Sequence, residues 1–221
     1  MKKLLGILVL TSAALFLLSG WAMATTMTYT IQDTMNYWPG FPGSAYDNSR
    51  DEIGNPQVGD MRVTITDGLL EKVEIDITNR LKFDSLFINS DGGSLGGWDY
   101  YVRDAKYDSS SFDGLYSVDE SSFNYTYASS GREGHPSGLE NDSALTKLPG
   151  AFNPAYDGSV LTYIFTGRNI AIEGPFYVAY SVYCANDVTG GTGAPVPEPA
   201  TMVLMGLGLL GLAQVTRRKK S

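Results

Sequence analysis

Two stretches on either side of a two-residue break constrain this chain more than anything else in it. In Met61-Arg62-Val63-Thr64-Ile65-Thr66 the apolar Met61, Val63 and Ile65 take alternate positions, and in Val73-Glu74-Ile75-Asp76-Ile77 apolar again alternates with charge. A period of two sends successive side chains to opposite faces of a strand, so each segment has one face to bury and one to leave wet. Asp67-Gly68 separates them and is a strong two-residue hairpin signal.

Segments of this kind recur, rich in Val, Ile, Tyr, Phe and Thr and divided by Gly, Pro, Asn, Asp and Ser. Ten strands are predicted, at residues 27–31, 60–66, 70–79, 85–89, 98–103, 114–118, 123–127, 160–166, 169–173 and 176–184. With no long amphipathic helix between the ends, the predicted fold is all-β, an antiparallel β-sandwich of jelly-roll or lectin-like type spanning residues 25–188. Residues 131–154 read as a long surface loop. Thr189-Gly190-Gly191-Thr192-Gly193-Ala194-Pro195 reads as a flexible linker, residues 189–195.

The two ends are of another character. Met1-Lys2-Lys3, an apolar run from Leu4 to Leu18 and Ala22-Met23-Ala24 have the charged, apolar and small-residue parts of a signal peptide, with cleavage expected after Ala24. At the other end, residues 200–216 carry no charge and would rise roughly 25 Å as a helix, enough to enter and barely cross a bilayer. Arg217, Arg218, Lys219 and Lys220 follow at once, a basic cluster that stays cytoplasmic and leaves the body outside. Just before the apolar stretch, Pro197 and Pro199 flank Glu198; proline disfavours helix and keeps this peptide extended.

Val196-Pro197-Glu198-Pro199-Ala200, an apolar helix and an Arg-rich end together resemble the PEP-CTERM sorting signal of Gram-negative bacteria. The resemblance covers residues 196–221. It implies recognition of Pro197, Glu198 and Pro199 by an exosortase, removal of the tail after transient anchoring in the inner membrane, and delivery to the cell surface or extracellular matrix. Signal peptidase would act at the other end. Such systems accompany exopolysaccharide production.

Charge narrows the partners of the body. Between the two signals lie 10 Lys and Arg against 23 Asp and Glu, a net charge of −13. Nucleic-acid binding draws its affinity from cations neutralising phosphates, so that class is disfavoured. Cys184 is the only cysteine, which leaves no intrachain disulfide; within an alternating segment it reads as a packed thiol.

Catalytic signatures are missing. One histidine, His135, cannot supply a three-histidine zinc site, and in Gly134-His135-Pro136 it reads as an exposed loop residue. Asp47 and Asp51 in one acidic loop and Asp91 in another are candidate oxygen ligands for calcium, although neither loop has EF-hand spacing. No other cofactor is expected. Trp38, Trp98 and Tyr100 are candidate ligand contacts, because rings beside Gly and Pro can stack on sugar faces; Trp38, between Tyr37 and Pro39, is the one expected to be most exposed. The expected function is a non-enzymatic surface or matrix protein associated with exopolysaccharide. The alternative is a secreted glycan hydrolase or lyase using paired Asp and Glu.

Overall fold

The computed structural model describes residues 24–35, 38, 54–79, 84–92, 97–104, 113–127, 135–139, 142–182, 185–194 and 208. These form an all-β body of two antiparallel sheets and a separate two-stranded ribbon. The strands are β1 (Thr26–Ile31), β2 (Gln57–Thr66), β3 (Leu69–Thr78), β4 (Asp84–Asn89), β5 (Tyr100–Asp104), β6 (Gly114–Val118), β7 (Tyr125–Tyr127), β8 (Pro136–Leu139), β9 (Leu145–Lys147), β10 (Ala155–Tyr156), β11 (Val160–Ile164), β12 (Phe176–Val182) and β13 (Val188–Gly193). The first sheet has the order β1-β2-β3-β11-β10, the second β13-β12-β4-β5-β6-β9, and β7 pairs with β8.

The hairpin at the centre of the first sheet follows from its sequence. Asp67 and Gly68 both take positive φ, 51° and 75°, as a turn matched to strand twist requires, and Thr66 faces Leu69 across it. Met61, Val63 and Ile65 of β2 and Val73, Ile75 and Ile77 of β3 are thereby turned to one side and buried. The opposite side carries polar pairs, including a fork from Arg62 to Asp76 at 2.8 and 2.6 Å.

Across from them lie Leu86 and Ile88 of β4, Val102 of β5, Leu115 of β6, and Phe176, Val178, Tyr180 and Val182 of β12. The two sheets therefore pack face to face over one apolar core. β12 lacks polar alternation because it is covered on both sides, like any strand in the middle of a doubly covered sheet.

Three expectations are corrected. Residues 189–193, expected as a flexible linker, lie in β13, paired with β12 from Phe176↔Gly193 to Ser181↔Val188. Their glycines leave room for neighbours. A β-carbon on Gly190 would meet the Val178 carbonyl at 2.7 Å, one on Gly191 would meet Ile31 at 2.8 Å, and one on Gly193 would meet Phe176 at 2.3 Å. At the end of this strand the Tyr29 hydroxyl donates to the Ala194 carbonyl at 3.3 Å.

The expected surface loop over 131–154 contains β8, a 3-10 turn at Asp142–Ala144 and β9. His135 is buried there and not exposed: its Nδ1 lies 2.9 Å from the Ala185 carbonyl, an oxygen that can only accept, so Nδ1 carries the proton. The burial follows from β8 seating on β12, where the Ser181 hydroxyl donates to the Pro136 carbonyl at 3.0 Å. Thirdly, the strand expected over 169–173 is reduced to a single bridge, Leu69↔Ala171.

Candidate functional site

The second sheet has an apolar outer face as well as an inner one. Phe87 of β4, Tyr101 of β5, Tyr116 of β6, and Ala179 of β12 alternate away from the main core and form a second cluster with Met35, Trp38, Trp98 and Val188. Phe87 is its hub, with ring centroids 5.0 Å from Trp38, 5.4 Å from Trp98 and 4.8 Å from Tyr101. Phe123, Tyr125 and Leu139, from the ribbon and its approach, pack over it.

This cluster decides the fate of the three ring candidates. Trp38, expected to be the exposed one, is 1% exposed, and Trp98 is 0% exposed; their centroids are 5.9 Å apart. Both are structural. The Pro and Gly beside Trp38 gave no sign of burial, because its partners Phe87, Trp98 and Tyr125 are brought by other strands. Tyr100 is half-buried and packs against the main core on the inner side, apart from the tryptophans.

Where the covered face reaches β5, β6 and β9, it opens into a cavity of about 290 Å³ lined by Tyr101, Arg103, Tyr116, Leu139, Asp142, Leu145 and Lys147. That is near the lower end of the roughly 300–1,000 Å³ of ligand pockets. Strand alternation aims these side chains. Tyr101 and Arg103 are two apart on β5, while the β6–β9 register sets Tyr116 directly across from Lys147. The Tyr101 and Tyr116 rings stand 6.1 Å apart at 38°.

Burial pushes the Tyr101 hydroxyl up to about 12, opposed by its 3.1 Å hydrogen bond with Ser85. Burial also raises Tyr116, where the Arg103 charge acts in the opposite direction and Asp113 and Asp142 add to the rise. Both phenols are neutral at physiological pH, and the described lining of the cavity includes these two tyrosines, two cations and one carboxylate. Sequence reading missed all of these residues as a site. Tyr101 stood in the aromatic run 97–101, but Tyr116, Asp142 and Lys147 have no local signal that joins them.

Of the calcium candidates, Asp91 is exposed at a turn where the Asn89 side-chain oxygen accepts from the backbone N–H of Asp91 and Gly92, at 3.3 and 3.1 Å. Asp47 and Asp51 lie outside the described residues, as does Cys184. Among the described residues no three His, Cys, Asp or Glu side chains gather as a metal-holding group.

The sorting residues Pro197, Glu198, Pro199, Arg217, Arg218, Lys219 and Lys220 also lie outside the described residues, as does the expected membrane segment 200–216 except for Gly208. Among the described residues no helix is long and apolar enough to cross a membrane. Comparison with protein families matches the PEP-CTERM protein-sorting motif to residues 195–219. The chain carries a PEP-CTERM sorting signal. The match begins one residue after the last described residue of the body and takes in Pro197, Glu198 and Pro199 as well as Arg217, Arg218 and Lys219. A PEP-CTERM signal implies export, membrane-associated sorting and processing by an exosortase. No curated protein and no solved structure matches the chain.

Proposed function

We propose that this PEP-CTERM protein is a non-enzymatic component of the cell surface or extracellular matrix whose lectin-like body associates with exopolysaccharide. The observation that carries the reading is the cavity beside Tyr101 and Tyr116. The Tyr116 ring, 8% exposed, offers its rim to the C–H groups of a sugar, while Asp142 can accept from its hydroxyls and Arg103 and Lys147 can donate to its oxygens. Its size suits a small part of a polymer and not a length of it, so affinity for a matrix would arise from many copies acting together. Among the described lining residues Asp142 is the one carboxylate, whereas glycoside hydrolysis draws on a pair, and this favours binding over cleavage.

Affinity electrophoresis of residues 25–195 through gels containing the exopolysaccharide of the producing cell tests the reading. Retarded migration is expected, reduced by Tyr116→Ala. Migration that is unretarded both with and without calcium would end it. Release of reducing ends from the polysaccharide would favour the hydrolase alternative.

A further inference from the structure

We propose that export finishes the fold: once the signal peptide is cut after Ala24, the new α-ammonium of Thr25 pairs with the Asp67 carboxylate and locks strand β1 to the β2–β3 turn. The proposal rests on the sequence reading of Ala22-Met23-Ala24 as the cleavage site and is independent of glycan binding. Its basis is a contact at the start of the body. The Thr25 backbone N–H donates to Asp67 Oδ1 at 2.8 Å, and the Asp67 N–H donates to the Thr25 carbonyl at 3.1 Å. These two bonds carry the β1–β2 ladder one residue past its terminal strand pair, Thr26↔Thr66.

Asp67 can make this contact because it opens the hairpin turn. In a hydrogen-bonded antiparallel pair the two residues exchange both backbone bonds, so a carbonyl would accept from the Thr25 N–H. Here the accepting oxygen belongs to the Asp67 side chain, and the backbone, at a φ of 51°, has already left the strand. A carboxylate differs from a carbonyl in carrying charge. In the precursor it meets a peptide amide with a single N–H. Hydrolysis of the Ala24–Thr25 bond takes up one water, leaves a carboxylate on the departing Ala24 and gives Thr25 an ammonium with three N–H donors and a full positive charge. The same contact thereby becomes a hydrogen bond between two ions, stronger than one between neutral groups.

β1 is where such a lock has most to hold. Among the described strands it pairs with β2 alone, at the edge of its sheet, and chain ends fray unless they are tied down. On its outer side the rungs after Thr25 are neutral: the Thr26 and Thr66 hydroxyls lie 3.0 Å apart, and those of Thr28 and Thr64 lie 3.2 Å apart. On its inner side Tyr29 packs edge-on against Phe176 at 5.2 Å, and Ile31 fills the space above Gly191. Fixing the first residue of the exported body at the turn therefore also steadies the seam between β1 and the second sheet.

The test compares the exported protein, recovered from the producing cell, as the parent and as Asp67→Asn, each before and after mild periodate treatment. Asparagine tolerates the positive φ of this turn and keeps a side-chain oxygen while removing the charge. Periodate attacks the 1,2-amino alcohol that a threonine has only at a free N-terminus. It breaks the Cα–Cβ bond, releases acetaldehyde and ammonia, is reduced to iodate, and leaves a neutral aldehyde in place of the ammonium. Mass spectrometry is expected to find Thr25 as the first residue and to follow its conversion. In urea at low salt, periodate is expected to raise the unfolding constant of the parent about twofold to fivefold and that of Asp67→Asn little, with the difference shrinking as salt rises. A first residue other than Thr25 would overturn the proposal. So would a parent that periodate leaves equally stable, or an effect of the same size in Asp67→Asn.

Discussion

Gly193 lies beneath the ring of Phe176, so close that a β-carbon on the glycine would sit 2.3 Å from the phenylalanine Cζ. The contact closes the end of the β12–β13 pair, with Tyr29 packed edge-on against Phe176 from β1 at 5.2 Å. Gly193→Ala is therefore expected to destabilise the body by about 1–3 kcal/mol through overpacking, read as a lower denaturant midpoint at an unchanged slope. Ser in place of Thr192, an exposed neighbour, is expected to change little. Equal stability of Gly193→Ala and the parent would mean that this segment is the loose linker its composition suggests.

Trp98 offers a sharper division between packing and ligand contact. It is fully buried against Phe87 and Trp38, so Trp98→Ala is expected to cost about 3–5 kcal/mol of stability, and Trp98→Phe much less. Polysaccharide retention of Trp98→Phe should match that of the parent. A loss of retention without a loss of stability would return this ring to the binding surface.

Alkaline pH should expose the tyrosines that the fold holds neutral. Burial raises both Tyr101 and Tyr177 from 10 to about 12. A folded-state value above the unfolded one means that the stabilisation is fully present below pH 10 and disappears as the pH climbs through 12. Unfolding followed by far-ultraviolet circular dichroism should track phenolate absorbance across that interval. Ionisation of all tyrosines near pH 10 with no change in fold would contradict the burial of these two.

Replacement of Pro197, Glu198 and Pro199 together by alanine is expected to block tail removal and leave the chain membrane-bound, seen as a larger band in the membrane fraction. The match to the PEP-CTERM motif over residues 195–219 is the basis. Tail removal and release at the parental rate would show that these three residues play no part in sorting.

What could be read in advance divides along a physical line. β2, β3 and their turn were legible because alternation and the Asp67-Gly68 turn are local, and β6 was legible residue for residue. The segment 189–193 was not, since the same glycines serve a slack tether and a strand pressed against large side chains, and Ile31 and Phe176 decide between the two from elsewhere in the chain. His135 and Trp38 follow the same rule: Gly and Pro around them described a local bend, while β12 and the aromatic hub supplied the cover. The cavity was illegible for the related reason that strand register, and not sequence distance, brings Lys147 beside Tyr116. The sorting motif was legible because its residues are contiguous.

The pairing of β13 also sets how much reach the tail has. From Gly193, fixed in the sheet, to Pro197 the chain can extend at most about 14 Å. An enzyme that recognises Pro197–Pro199 therefore has to approach within about 14 Å of the sheet's last residue. Because β13 ends at Gly193, two residues before the sorting motif begins, the body and its sorting signal are joined with almost no spacer between them.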